Sequence, residues 1–201
     1  MHYAIGKRIS QIYDVTDRER FCFGNLYPDA CPGEKKQESH LMETGKDGLR
    51  YYNLTKFRER YLDLMREDPL VLGYYIHIVE DMIFRKFLQN VKRYKKVDKY
   101  PVIDMYHDYN NVNGFLVQKY ELPDEIEIPD FIPDFIDVKL HPDFIAATYK
   151  RFTKMPQEGE CILLDEALTD QYINTAIFKC TKELLFLRDG GSGMCESMVR
   201  F

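Results

Sequence analysis

Residues Asp68 to Lys96, DPLVLGYYIHIVEDMIFRKFLQNVKRYKK, constrain the fold more than any other stretch. Asp68 is a good N-cap and Pro69 a good first helical residue, so a helix starts there. Its interior is apolar around most of its circumference, which predicts a buried central helix rather than an amphipathic surface one. The apolar run is shorter than the ~20 residues of a membrane span, and charges interrupt it. Yet the run carries His77, Glu80 and Asp81. His77 and Asp81 are four apart and share a face, with Gly73 one turn earlier and Glu80 beside the stripe. An ionised Asp in an apolar interior costs several kcal/mol unless a cation or a cluster of donors compensates it. H-x-x-x-D on a helix suits a metal ion, because both side chains reach one point. A His–Asp hydrogen bond within a core is the plainer alternative.

The rest of the chain reads as helix with two interruptions. Ile5, Ile9 and Ile12 mark one face of a first helix, and the TDRE of Thr16 to Glu19 reads as a capping box opening a second. From Leu26 to Asn53, Gly, Pro and Asp recur, which predicts a long irregular loop. Helix resumes after Asn53, with Phe57, Tyr61, Leu64 and Met65 on one face. Val102, Met105, Tyr106, Tyr109, Val112, Leu116 and Tyr120 again follow helical spacing. Pro123, Pro129, Pro133 and Pro142 then predict an extended connector over 121–144. A last helix runs from about Asp165 to Leu187, and residues 188–201 read as a flexible tail. The expected architecture is all-α: one helical domain over 1–187, a multi-helix bundle with a Pro-rich connector before its C-terminal helix.

Composition narrows the function classes. The chain has 201 residues, 45% hydrophobic and 30% charged, with a net charge of −5. That is an ordinary globular balance, with no nucleic-acid-binding arm or module. The one basic run, Lys92, Arg93, Lys95, Lys96 and Lys99, reads as the solvated end of a helix. The N-terminus has no apolar signal region. Five cysteines without C-x-x-C spacing read as reduced thiols, and a cytoplasmic location is expected.

Further polar residues suit the chemistry of the central helix. The long loop offers Asp29 and His40, and the first helix begins with His2. The helix after the central one offers Asp104, His107, Asp108 and Asn111. Each has a plain alternative: a turn residue, a loop histidine, a terminus, a polar helix face. Together they form N and O donors suited to zinc, or to manganese or iron.

The sequence PDA…SHL…LGYYIHIVED resembles the zinc-dependent phospholipase C and P1-type nuclease superfamily, over roughly residues 1–118. The resemblance implies an all-helical fold in which Asp29, His40, His77 and Asp81 ligate zinc. It also implies that His2 helps bind a neighbouring metal bridged by Asp81. Where the secreted members begin with a Trp, this chain has Met1 and His2 and no Trp at all. Where they carry two further His and a Glu, this chain has YHDYNNVN, with His107 as a replacement ligand and Asp108 beside it. One or two metals are therefore expected, in an intracellular, divergent member. The activity implied is hydrolysis of a phosphate ester, foremost a diester, with Asp29 and Asp108 as candidate catalytic residues and Glu80 and Asp108 as candidate supports of the ligands. The substrate class stays open. The alternative is a non-catalytic helical protein that keeps a metal for structure or partner binding. A third reading, an HD-type phosphohydrolase, needs His77, His107, Asp108 and Asp143 to converge.

Overall fold

A computed structural model of the chain describes residues 1–154, 159–194 and 199–201. The fold is all-α apart from one small hairpin. Helices α1 (His2–Ile12) and α2 (Arg18–Gly24) come first, and a short α3 (Lys36–Ser39) follows two 3-10 turns at Tyr27–Asp29 and Gly33–Lys35. Strands β1 (Met42–Thr44) and β2 (Arg50–Tyr52) pair antiparallel, with Met42 opposite Tyr52. Then come α4 (Leu54–Glu67), α5 (Pro69–Lys95), α6 (Val102–Lys119), α7 (Pro142–Thr153) and α8 (Glu166–Arg188).

Helix α5 is the axis of the bundle. From Leu70 to Val79 every residue except Leu72 is buried, and α1, α2, α4 and α8 all pack on it. Local capping fixes where it begins. The Asp68 carboxylate accepts from the Leu70 amide at 2.9 Å. The same carboxylate takes a two-pronged bond from Arg20 of α2, at 2.7 and 2.6 Å. One side chain thus both starts α5 and aligns it with α2.

The two helices touch backbone to backbone. A Cβ on Gly24 would lie 2.1 Å from the Leu70 carbonyl oxygen, and one on Gly73 2.1 Å from that of Phe21. Only glycine permits this approach. It brings Asn25, just past the end of α2, against the His77 turn of α5.

Several expectations need correction. Asp17, not Thr16, caps α2, its side chain accepting from the Arg20 amide. Ile12 is 55% exposed, so it lies off the buried face of α1. The stretch read as irregular loop holds α3 and the hairpin. Pro142 ends the connector, because it is a first helical residue that opens α7 and not a breaker. The connector is extended, but it is not loose: Phe135 lies against the rings of Tyr61 and Tyr74, with centroids 5.5 and 5.1 Å away, and the His141 amide donates to the Ala30 carbonyl at 2.6 Å. Part of the stretch read as a flexible tail, 195–198, lies outside the described residues, as does Cys195. At 199–201 the chain is docked: Val199 is buried, and Phe201 exchanges two backbone hydrogen bonds with Arg50 at 2.8 and 3.0 Å.

Candidate metal centre

Five side chains from four elements converge at α5. His77 and Asp81 come from α5 itself. Asp29 comes from a 3-10 turn, and His40 directly follows α3, where the Tyr74 hydroxyl of α5 holds the Ser39 carbonyl at 2.6 Å. His2 is the first residue of α1, its ring stacked on that of His77 with centroids 4.0 Å apart. His77 Nε2 lies 3.1 Å from His40 Nε2. His40 Nε2 lies 3.5 Å from Asp29 Oδ1 and 3.6 Å from Asp81 Oδ2. His2 Nε2 lies 3.6 Å from Asp81 Oδ1. Two overlapping groups, His2–His77–Asp81 and Asp29–His40–His77, each have their ligand atoms within 4.8 Å of one another.

The far side of each imidazole is already committed. His77 Nδ1 donates to the Asn25 carbonyl at 2.8 Å, which leaves Nε2 with its lone pair. His40 Nδ1 lies 2.8 Å from Ser39 Oγ, whose own hydroxyl can donate to the Lys36 carbonyl at 3.3 Å. His40 can therefore donate from Nδ1 and offer Nε2. His2 Nδ1 lies 2.7 Å from Glu80 Oε2. With Glu80 ionised, Nδ1 donates to the carboxylate and His2 Nε2 keeps its lone pair; with Glu80 protonated, the carboxyl donates to Nδ1 and the ring proton sits on Nε2. Glu80 is held in turn by the Asn25 side-chain amide at 2.7 Å. All three histidines thus turn Nε2 inward and tie Nδ1 to a carbonyl, a hydroxyl or a carboxylate, the arrangement that orients metal-ligating imidazoles.

Burial sets the protonation states. His77, Glu80 and His40 are shielded from solvent, while the Asp29 and Asp81 side chains keep 31% and 24% exposure. Burial lowers His2 and His77 to about 4, against the pull of Asp81 and Asp29, so both rings are neutral at pH 7. Burial raises Glu80 to about 8, offset in part by the Asn25 amide. Burial also acts to raise Asp29, but His40, His77 and the charge of Lys36, 2.7 Å away, hold it well below the usual carboxylate range. Asp81 is likewise lowered, the neighbouring histidines outweighing burial. His2 and His77 therefore offer neutral nitrogen donors, and Asp29 and Asp81 anionic oxygen donors.

These donors fit a divalent ion. Ligand atoms ~2.0–2.1 Å from a tetrahedral zinc lie ~3.3 Å from one another. The contacts between neighbouring donors here span 3.1 to 3.6 Å. The two oxygens of Asp81 face different histidines, so Asp81 can serve one ion or bridge two.

The structure does not bring the remaining candidates to this centre. The Asp108 carboxylate accepts from the Ile162, Leu163 and Leu164 amides at 2.7 to 2.8 Å and from the Tyr100 hydroxyl at 2.5 Å. It anchors the loop before α8. His107 Nε2 faces the Asn111 side chain at 3.0 Å and the Glu160 carbonyl at 3.2 Å. Among the described residues neither joins either ligand group. Asp143 sits in the first turn of α7, so the set required for an HD-type site is not assembled.

The residues behind these donors are not marked in the sequence. Asn25, Ser39 and Tyr52, whose hydroxyl donates to Asp81 Oδ2 at 3.2 Å, carry no local signal that would single them out. No family model, curated protein or solved structure matches the chain.

Proposed function

We propose that this chain is a metal-dependent hydrolase of phosphate esters, most of all diesters, that holds one or two zinc ions through His2, Asp29, His40, His77 and Asp81. Manganese or iron suits the same donors. The observation that carries the reading is the three inward Nε2 atoms, each backed by a bond at Nδ1, beside two partly exposed carboxylates. A core hydrogen-bond cluster has no need to hold three imidazoles in that common orientation. The order of these residues along the chain also resembles the zinc-dependent phospholipase C and P1-type nuclease pattern.

A divalent ion at such a centre supplies Lewis acidity and lowers the pKa of water. The chain's own residues do the rest. Asp29 and Asp81 give hard oxygen donors at the solvent side. Lys36, beside Asp29 and 39% exposed, offers a cation to an anionic ester. Glu80 and Asn25 fix the His2 and His77 rings from behind. Four free cysteines among the described residues suit a reducing, cytoplasmic compartment.

Lys36 also favours a second reading. Its ammonium lies 2.7 Å from Asp29 Oδ1 and neutralises that carboxylate, as it would around a closed structural ion. Elemental analysis of the purified protein and turnover of a chromogenic diester with added zinc or manganese separate the two. Hydrolysis lost in both Asp29→Asn and His77→Ala supports the enzyme. Bound metal with equal background rates in all three proteins supports the structural centre. Absence of bound metal, with melting unaffected by chelator, overturns both.

A further inference from the structure

The basic run takes no part in the metal centre. Lys92, Arg93 and Lys95 lie on the last turn of α5, and Lys96 and Lys99 on the connection to α6. Over 92–99, Asp98 is the sole acid, in a chain whose net charge is −5. Lys95 reaches Asp165 at 3.7 Å, while Lys92, Arg93, Lys96 and Lys99 have no acidic partner among the described residues. The connection is short, so the end of α5 and the start of α6 form one corner of the bundle. That corner also exposes large apolar side chains: Tyr94 at 88%, Ile103 at 77% and Val102 at 60%.

Cations alone are a solvated helix end, and exposed aliphatics alone are common on surfaces. Their coincidence is a different feature. Lys and Arg are attracted to anionic headgroups, Tyr favours the membrane–water boundary, and Val and Ile gain by entering the acyl region. A nucleic acid would use the cations and the Tyr ring but has no use for Ile103 and Val102. Among the described residues no helix is long and apolar enough to cross a membrane, so any such association is peripheral. We propose that the α5–α6 corner docks on an anionic lipid surface, with Arg93, Lys96 and Lys99 against headgroups and Tyr94, Val102 and Ile103 in the boundary. The inference is independent of whether the metal centre turns over an ester.

Cosedimentation with vesicles tests it, using phosphatidylcholine alone and phosphatidylcholine with about one-third phosphatidylserine. Chelator present throughout keeps the metal centre out of the measurement. The expected result is binding to the anionic vesicles only, weakening as salt rises. Replacing two cations, Lys96→Gln with Lys99→Gln, lowers the partition coefficient about thirtyfold. Ile103→Ser lowers it at unchanged charge. These positions are exposed, and wild-type melting temperatures verify that the variants fold. Equal sedimentation with both vesicle types, or no loss in the lysine variant, overturns the proposal. So does binding to a labelled RNA duplex that exceeds vesicle binding and ignores Ile103→Ser.

Discussion

Gly73→Ala is the sharpest perturbation of the link between packing and the metal centre. The added Cβ would lie 2.1 Å from the Phe21 carbonyl oxygen and must retreat by 0.9 Å to reach even 3.0 Å. Backbone cannot swing aside as a flexible side chain can, so the upper part of the ~1–3 kcal/mol overpacking range applies. The same oxygen accepts the Asn25 amide at 2.9 Å, and disturbing that bond costs about 1 kcal/mol more. Alanine returns about 1 kcal/mol through helix propensity. The net loss is about 2–3 kcal/mol, a fall in Tm of about 4–12 °C for a chain of this size. Asn25 also holds His77 and Glu80, so bound metal falls together with stability. Gly114→Ala is the control. It sits at an exposed position of α6 with nothing within 4 Å of its Cβ, and a gain of about 0.5–1 kcal/mol is expected. Thermal melts followed by circular dichroism, with metal analysis of each protein, read both effects. A Gly73→Ala protein that melts within about 2 °C of wild type with full metal content would falsify the close-packing argument.

Glu80→Gln keeps the shape of the side chain but weakens its hold on the His2 ring, and metal affinity is expected to fall about 10–100-fold in a chelator competition. An unchanged affinity would show that His2 is not a ligand. Asp108→Asn leaves three amides and a hydroxyl with a poorer acceptor. It should cost about 1–3 kcal/mol while leaving metal content unchanged, and metal loss would return Asp108 to the centre. The metal-free protein should lose stability on acidification. Folded His2 and His77 take protons near 4 and unfolded imidazoles near 6.5, so their contribution is complete above 6.5 and drains away towards 4. Glu80, held near 8, acts with the opposite sign and favours the folded form increasingly as pH falls from 8 towards 4.5. With two groups against one, melts in chelator should fall in Tm between pH 6.5 and 5, and a rise there refutes the assignment.

What could be read from sequence was what is local in the chain. Asp68–Pro69 announces α5 because capping acts within one turn. The pairing of His77 with Asp81 follows from helical periodicity alone. Pro142 could not be read, because a proline that opens a helix and one that breaks it look alike without the packing partner of the following face. Asn25 and Ser39 could not be read either. Asn25 acts on residues more than fifty positions away, and Ser39, though next to His40, is placed by the Tyr74 hydroxyl of a distant helix. His107 and Asp108 misled for the converse reason: two residues that suit a metal stand side by side, but the 162–164 segment claims the aspartate and Asn111 and Glu160 surround the histidine.

Every candidate ligand of the centre lies between residues 2 and 81, yet α1, which carries His2, is seated on α2, on α5 and on α8 much later in the sequence. During synthesis the Asp29–His40–His77 group can gather as soon as α5 emerges. His2 gains the last of its backing only when α8 is made and docks. The order of translation and the order of closure therefore differ, and a nascent chain passes through a stage in which one edge of the centre still lacks its final support.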